Sequence, residues 1–241
     1  MATEVSPERI TALLTEGELS PVGLLPGASN DTFLCTIAHG SLETYAVYKP
    51  RDGEAPLWDF PDGTLYRREM AAFVVASALG WDLVPPTVIR DARFGIGMVQ
   101  LYIDHDPEEH YFTLGPTHPE VFRRVCALDL LINNADRKAG HCLLQRETGR
   151  LFVVDHGVTF HVHPKLRTVI WDYAAEPIPA EIRTDIGRVW RDLDSGPLLA
   201  ALEELLETEE IGALRARAGA LSTLETFPEP GPGRPYPWPP V

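Results

Sequence analysis

Two aspartates, Asp136 and Asp155, stand nineteen positions apart in the stretch LDLLINNADRKAGHCLLQRETGRLFVVDHGVTF. The first follows an apolar, helix-like run. The second ends a β-like run, LFVVD, and is followed by His156 and Gly157. Between them, residues 141–145 and 151–155 flank a polar turn containing Gly149, the pattern of an antiparallel hairpin. Symmetric pairing about Thr148 puts His141 opposite Asp155 at the open end, with Asp136 just upstream. A loop carboxylate beside a hairpin-end carboxylate is the arrangement that phosphoryl transfer uses: one orients an attacking hydroxyl, the other holds Mg²⁺ against phosphates.

The elements that must carry these groups follow from periodicity. Residues 7–16 read as a short amphipathic helix with Ser6 as N-cap and Pro7 at the first helical position. Alternating runs at 33–37 and 45–49 flank His39-Gly40-Ser41, a hairpin that, centred on Gly40, sets Lys49 level with Asp31. Lys49 lies then beside the loop Gly27-Ala28-Ser29-Asn30, whose backbone N–H groups, with Ser29 and Asn30, suit phosphate binding as turn nests do. Residues 64–79 form a helix closed by Gly80. Two strands follow, interrupted near Asp91-Ala92-Arg93, then a polar connection over 105–118 and a helix from Pro119 carrying Val121, Phe122, Val125, Leu128 and Ile132 on one face. Residues 161–179 are irregular. Helices are expected at 180–193 and 197–222, and FPEPGPGRPYPWPPV is an extended or disordered Pro-rich tail. This order divides the chain into a β-rich lobe (1–104), a helical lobe with the two aspartates (105–226) and the tail (227–241).

DRKAGH followed by VVDHG resembles the catalytic loop and metal-binding motif of the phosphatidylinositol 3-/4-kinase-like superfamily, nearest its type II 4-kinase and HipA-like branches and a short bacterial family within them. The resemblance spans residues 19–173 and is specific at Asp136-Arg137 and Asp155-His156-Gly157. It implies a two-lobed, protein-kinase-like α+β fold and an ATP-dependent kinase. In that frame Lys49 contacts the ATP phosphates and pairs with Glu69 on the following helix, with Arg67 and Arg68 as competing partners. Gln100 and Tyr102 fall in the hinge that meets adenine. Asp136 orients the acceptor hydroxyl, Lys138 offsets charge on the transferring phosphoryl group, Arg137 braces the loop, and Asp155 binds the metal. Residues 161–173, with Lys165 and Arg167, correspond to the segment that selects substrate.

His141 stands where the family has Asn. Imidazole suits Mn²⁺ or Zn²⁺ better than Mg²⁺. Three outcomes are open: His141 ligates a metal, hydrogen-bonds a phosphate, or marks an impaired pseudokinase that serves as a nucleotide-binding or scaffold module. Asn133 and Asn134 are nearby amides able to supply an oxygen ligand, and His161-x-His163 on a strand would turn both rings to one face. Composition narrows the partners. With 21 Lys/Arg against 35 Asp/Glu, a net charge of −14 disfavours nucleic acid and anionic lipid. That points to a soluble protein or small-molecule acceptor, with the tail as a possible docking peptide for a partner. There is no secretory signal or polybasic cluster, and Cys35, Cys126 and Cys142 lack metal-type spacing, so a reduced, cytoplasmic protein without a membrane anchor is expected.

Overall fold

The computed structural model describes residues 5–27 and 29–241. The chain opens with helix α1 (Pro7–Glu16), its Leu13 and Leu14 buried against a five-stranded antiparallel sheet. That sheet comprises β1 (Glu18–Leu24), β2 (Phe33–His39), β3 (Leu42–Pro50), β4 (Thr87–Ala92) and β5 (Gly95–Leu101), in the order β1-β2-β3-β5-β4. Alternation works as the sequence suggests: Cys35 and Ile37 of β2 and Ala46 and Tyr48 of β3 point inward, and Val99 of β5 completes the small core.

The β2–β3 register differs from the expected one by a residue. His39 pairs with Leu42 across a two-residue turn in which Gly40 takes φ +61°, so Phe33 faces Tyr48 and Lys49 is no longer level with Asp31. A tight two-residue turn places the hairpin centre between residues, whereas centring it on Gly40 supposes a three-residue loop.

Helix α2 (Leu65–Leu79) ends on Gly80 in the left-handed conformation. It lies between β3 and β4 in sequence, yet Ala71, Ala72, Val75, Ala76 and Leu79 join the main core of the helical lobe. That core is built from α3 (Tyr111–Leu114), α4 (Pro119–Ile132), α5 (Ala180–Asp192), α6 (Pro197–Glu203) and α7 (Thr208–Thr223). The single helix expected over 197–222 is two. The chain turns at Leu205 and Leu206, and Glu207 and Glu210 then form a reciprocal cap, the Glu207 N–H donating to Glu210 Oε2 at 3.1 Å.

The second hairpin, β6 (Cys142–Leu144) with β7 (Leu151–Val153), pairs Cys142 with Val153. This register is also one residue off the symmetric expectation, so His141 faces Val154, whose N–H donates to the His141 carbonyl at 3.0 Å. The tail is extended, without helix or strand, and lies on its own chain. The Pro235 carbonyl accepts from the Thr168 N–H and Trp171 Nε1, and the Pro240 carbonyl from the Ala139 N–H. No helix among the described residues is long and apolar enough to cross a membrane.

Candidate active site

Lys49 sits near the end of β3, opposite Met98. Its strand is approached closely there. A Cβ on Gly97 would lie 2.3 Å from the Lys49 carbonyl oxygen, so only glycine lets β5 seat at this point. The Lys49 ammonium bonds Glu69 Oε1 at 2.5 Å and Asp155 Oδ1 at 2.9 Å. The other Glu69 oxygen accepts the His156 N–H at 2.8 Å. One buried helical carboxylate thus joins the strand lysine to the backbone that follows Asp155. Burial opposes the charge on Lys49, but Asp155 and Glu69 outweigh it and raise its pKa. In return the Lys49 ammonium holds the Asp155 carboxyl well below the usual carboxylate range.

The second oxygen of Asp155 lies 3.2 Å from His141 Nε2. Burial lowers the His141 pKa to about 4, with Asp155 opposing, so the ring is neutral near pH 7. Its Nδ1 faces the Lys138 N–H at 3.4 Å. The hydrogen-bond pattern therefore assigns the ring proton to Nε2, directed at Asp155.

Asp155 has φ +62°, uncommon for a non-glycine residue. It is clamped on both sides: the Val154 carbonyl accepts from Arg137 Nη1 at 2.8 Å, and the His156 N–H is held by Glu69. Arg137 is wholly buried and ion-paired with Asp129 of α4, donating from Nε and Nη2, while Nη2 also reaches His156 Nε2 at 2.8 Å. Its position is that of a brace with no face toward a substrate. Asp136 begins the same loop, its N–H donating to Asn134 Oδ1 at 3.0 Å. Burial raises the Asp136 pKa, opposed by Lys138, whose ammonium lies 3.1 Å away.

The remaining expected residues make contacts outside this cluster. Gln100 is buried with Nε2 donating to Thr87 Oγ1, so its side chain ties β5 to β4. Tyr102 donates its N–H to the Tyr45 carbonyl at the lobe junction. Asn30 Oδ1 accepts the Ala55 N–H, pinning the loop after β1; Ser29 is exposed, and Ala28 lies outside the described residues. Neither expected competitor reaches Glu69: Arg67 donates to the Tyr66 hydroxyl, and Arg68 to Glu210 and the Thr159 carbonyl. Asn133 and Asn134 are buried and engaged with 161–165 and with Asp129 and Asp136, so neither amide is free as a ligand. His161 and His163 lie on irregular chain rather than a strand.

Asp129 and Glu210 escaped the sequence reading, as did the parts that His156 and Arg68 take as their buried partners. Only Asp129 had a visible signal, a lone carboxylate inside the apolar run CALDLLI. Among the described residues no three His, Cys, Asp or Glu side chains form a ready metal cage. Asp155 and His141 supply one oxygen and one nitrogen, a set that fits a divalent ion completing its shell with phosphate oxygens and water.

No family model matches the chain. Among solved structures, the Helicobacter pylori proinflammatory kinase CtkA is similar over 89% of this chain and 94% of its own, with TM-score 0.54 at 11% identity. Weaker likenesses are to the open conformation of CtTel1 (TM-score 0.48, 12% identity, 94% of this chain and 12% of that one) and to Chaetomium thermophilum Rio2 kinase in a complex with ADP/Mg²⁺ and phosphoaspartate (TM-score 0.38, 13% identity, 84% and 71%). The fold is therefore the two-lobed, kinase-like α+β fold. Protein Rv2133c of Mycobacterium tuberculosis is 42% identical over 263 aligned positions, covering 95% of this chain and 94% of the relative. With that identity over nearly the full length of both, this chain belongs to the same family as Protein Rv2133c of Mycobacterium tuberculosis.

Proposed function

We propose that this protein is an ATP- and divalent-metal-dependent phosphotransferase of the phosphatidylinositol 3-/4-kinase-like type, moving the γ-phosphoryl group to a hydroxyl of a soluble protein or small molecule. The observation that carries the reading is the Lys49 ammonium bonded at once to Glu69 and Asp155, from a strand, a helix and a hairpin end. Kinase activity requires a strand lysine paired with a helix glutamate and an aspartate ready for metal. The likeness to a solved structure described as a kinase, CtkA, supports the same reading.

Each residue then has one role. Lys49 moves from Asp155 to the ATP phosphates and keeps Glu69. Asp155 would hold the metal, and His141 would join it through Nε2 in the tautomer whose proton sits on Nδ1, which gives up only the weak 3.4 Å contact with the Lys138 N–H. A bound Mg²⁺ or Mn²⁺ supplies charge neutralisation at the phosphates; the mixed nitrogen and oxygen set favours Mn²⁺. Asp136 accepts the acceptor proton as the new P–O bond forms and the bond to the β,γ-bridging oxygen breaks, releasing ADP. Lys138 steadies charge on the transferring group.

Calorimetric titration of ATP with Mg²⁺ and then Mn²⁺ tests this. Metal-dependent binding that disappears in Asp155→Ala is expected, with ADP as product. A folded protein that binds ATP with neither metal sinks the reading. One observation favours a second reading, a nucleotide-binding module without turnover: both Asp155 oxygens already have protein partners, Lys49 and His141. That module binds ATP, yields no ADP, and shows no difference between the parent chain and Asp136→Asn.

A further inference from the structure

A second concavity has chemistry of its own. A groove of about 850 Å³ opens between the segment after Asp155, helix α7 and the Pro-rich tail, and none of Lys49, Glu69, Asp136, His141 or Asp155 lines it. Its size is that of small-molecule sites. The walls are largely apolar, with Val162, Leu166, Trp171 and Leu221 among them, and three arginines enter: Arg167, Arg217 and Arg234.

Arg217, which is half-buried, differs from the two fully buried arginines. Arg68 and Arg137 each have a carboxylate, Glu210 and Asp129. Arg217 donates only to carbonyls, from Nε to Leu131 at 2.8 Å and from Nη1 to His161 at 3.3 Å. Its Nη2 is shielded from water and has no partner among the described residues. Burial without a counter-charge lowers its pKa to about 10. A desolvated guanidinium left in this condition gains much from an anion that satisfies its free donor.

The surroundings specify the anion. Arg167 and Arg234 are exposed on the same groove, with no side-chain ion pair among the described residues. Lys165 is cancelled by Asp59 at 2.6 Å, and Glu229 is the acidic residue on the wall. Three arginines against one glutamate leave two positive charges concentrated in a protein whose net charge is −14. A phosphate monoester carries about −1.5 to −2 near pH 7. The Trp171 indole, fixed by its Nε1 bond to the Pro235 carbonyl at 3.1 Å, adds a rigid flat surface.

We propose that this groove binds a small, soluble phosphate monoester with a flat apolar body, its phosphate on Arg217, Arg167 and Arg234 and its body against Trp171 and Leu221. The site does not rest on the nucleotide reading, because it shares no side chain with the Lys49–Asp155 cluster.

Phenyl phosphate is the probe, titrated into the full chain and followed by calorimetry and by the arginine side-chain ¹H–¹⁵N resonances. Saturable binding is expected, weakened about tenfold or more in Arg217→Met, which removes the charge-assisted bonds. Since Arg217 also anchors two carbonyls, the exposed pair Arg167→Gln/Arg234→Gln is the second variant, with a similar loss expected. Asp155→Ala should bind the probe as the parent chain does. Benzyl alcohol, which lacks the charge, and inorganic phosphate, which lacks the ring, should each bind at least about tenfold more weakly. Unchanged affinity in the exposed double variant overturns the site. So does inorganic phosphate binding as tightly as the probe, since that is an adventitious ion only. Loss of probe binding in Asp155→Ala would move the probe to the other cleft and overturn it as well. Failure of ATP to bind would leave this result untouched.

Discussion

The charged groups on either side of Asp155 are arranged in opposite ways. Behind it, Asp129, Arg137 and His156 are fully buried, and Arg137 spends its donors on Asp129, His156 and the Val154 carbonyl. In front of it, Lys49 and His141 meet an Asp155 side chain that is 46% exposed, through contacts a ligand can replace. Glu69 belongs to both sides, holding Lys49 with one oxygen and the His156 N–H with the other. Both regions are ion pairs on paper. Saturation and burial make one a brace, and exposure with exchangeable partners leaves the other free to do chemistry.

The contrast is broken most severely from behind. Arg137→Met leaves the Asp129 carboxylate buried without a counter-ion, and removing one partner of a buried pair costs about 3–5 kcal/mol. Urea unfolding should show that loss, and Asp129→Leu/Arg137→Met should recover part of it because no lone charge remains. A double variant as unstable as the single one would show that Arg137 acts through its bond to Val154 rather than its charge. The front should respond inversely. Asp155→Asn keeps a residue tolerant of positive φ, so stability should stay within about 1 kcal/mol while turnover falls about 10²- to 10³-fold, the usual scale for one electrostatic contact in a transition state. Equal losses of stability and turnover would erase the distinction between the two sides.

Acid sharpens it further. The folded pKa of His141 is lowered to about 4 and that of His156 well below its ordinary value, both first by burial, with Asp155 opposing in each case and Arg137 adding to the shift. An imidazole kept neutral in the fold but free to protonate when unfolded gives stability that is complete above the unfolded pKa, about 6.5. That stability is lost as pH falls toward the folded pKa. For His141 the loss runs from about pH 6.5 to about 4 and amounts to at most about 3 kcal/mol. Asp155 shifts in the other region of pH: its carboxylate stabilises the fold above about pH 3.9 and surrenders that only in stronger acid. Unfolding measured between pH 7 and 4.5 should therefore weaken in the parent chain and weaken less in His141→Asn. An identical slope in both would assign the acid sensitivity to His156 alone.

How much of this was legible beforehand depended on sequence distance. Asp136, Asp155 and the helix carrying Glu69 were readable because local periodicity and turn residues place them. The two hairpins were readable as hairpins, but their registers were not, since Gly40 and Thr148 fit either a residue-centred or a bond-centred turn. The α6–α7 break was hidden because a Glu207–Glu210 cap inside a charged run resembles continuing helix. Arg68 and Glu210, separated by 142 positions, leave no spacing pattern to find. Their pairing ties α2 to the helical lobe, so Glu69 is already positioned where a local reading could only suggest a partner.

His141 offers the finest division between the two sides, because it touches the exposed cluster while its ring is mostly buried. Replacing it with Asn exchanges a nitrogen donor for a carbonyl oxygen at the same place. If Nε2 joins the metal, His141→Asn should shift the ratio of Mn²⁺- to Mg²⁺-supported ATP binding toward Mg²⁺ by less than about tenfold, under 1.4 kcal/mol. If the ring only donates its Nε2 proton to Asp155, the ratio should hold and binding with both metals should change together. Calorimetry with each metal on the two proteins separates these cases. A held ratio assigns His141 to the supporting frame and leaves Asp155 as the one ligand in the proposed metal site.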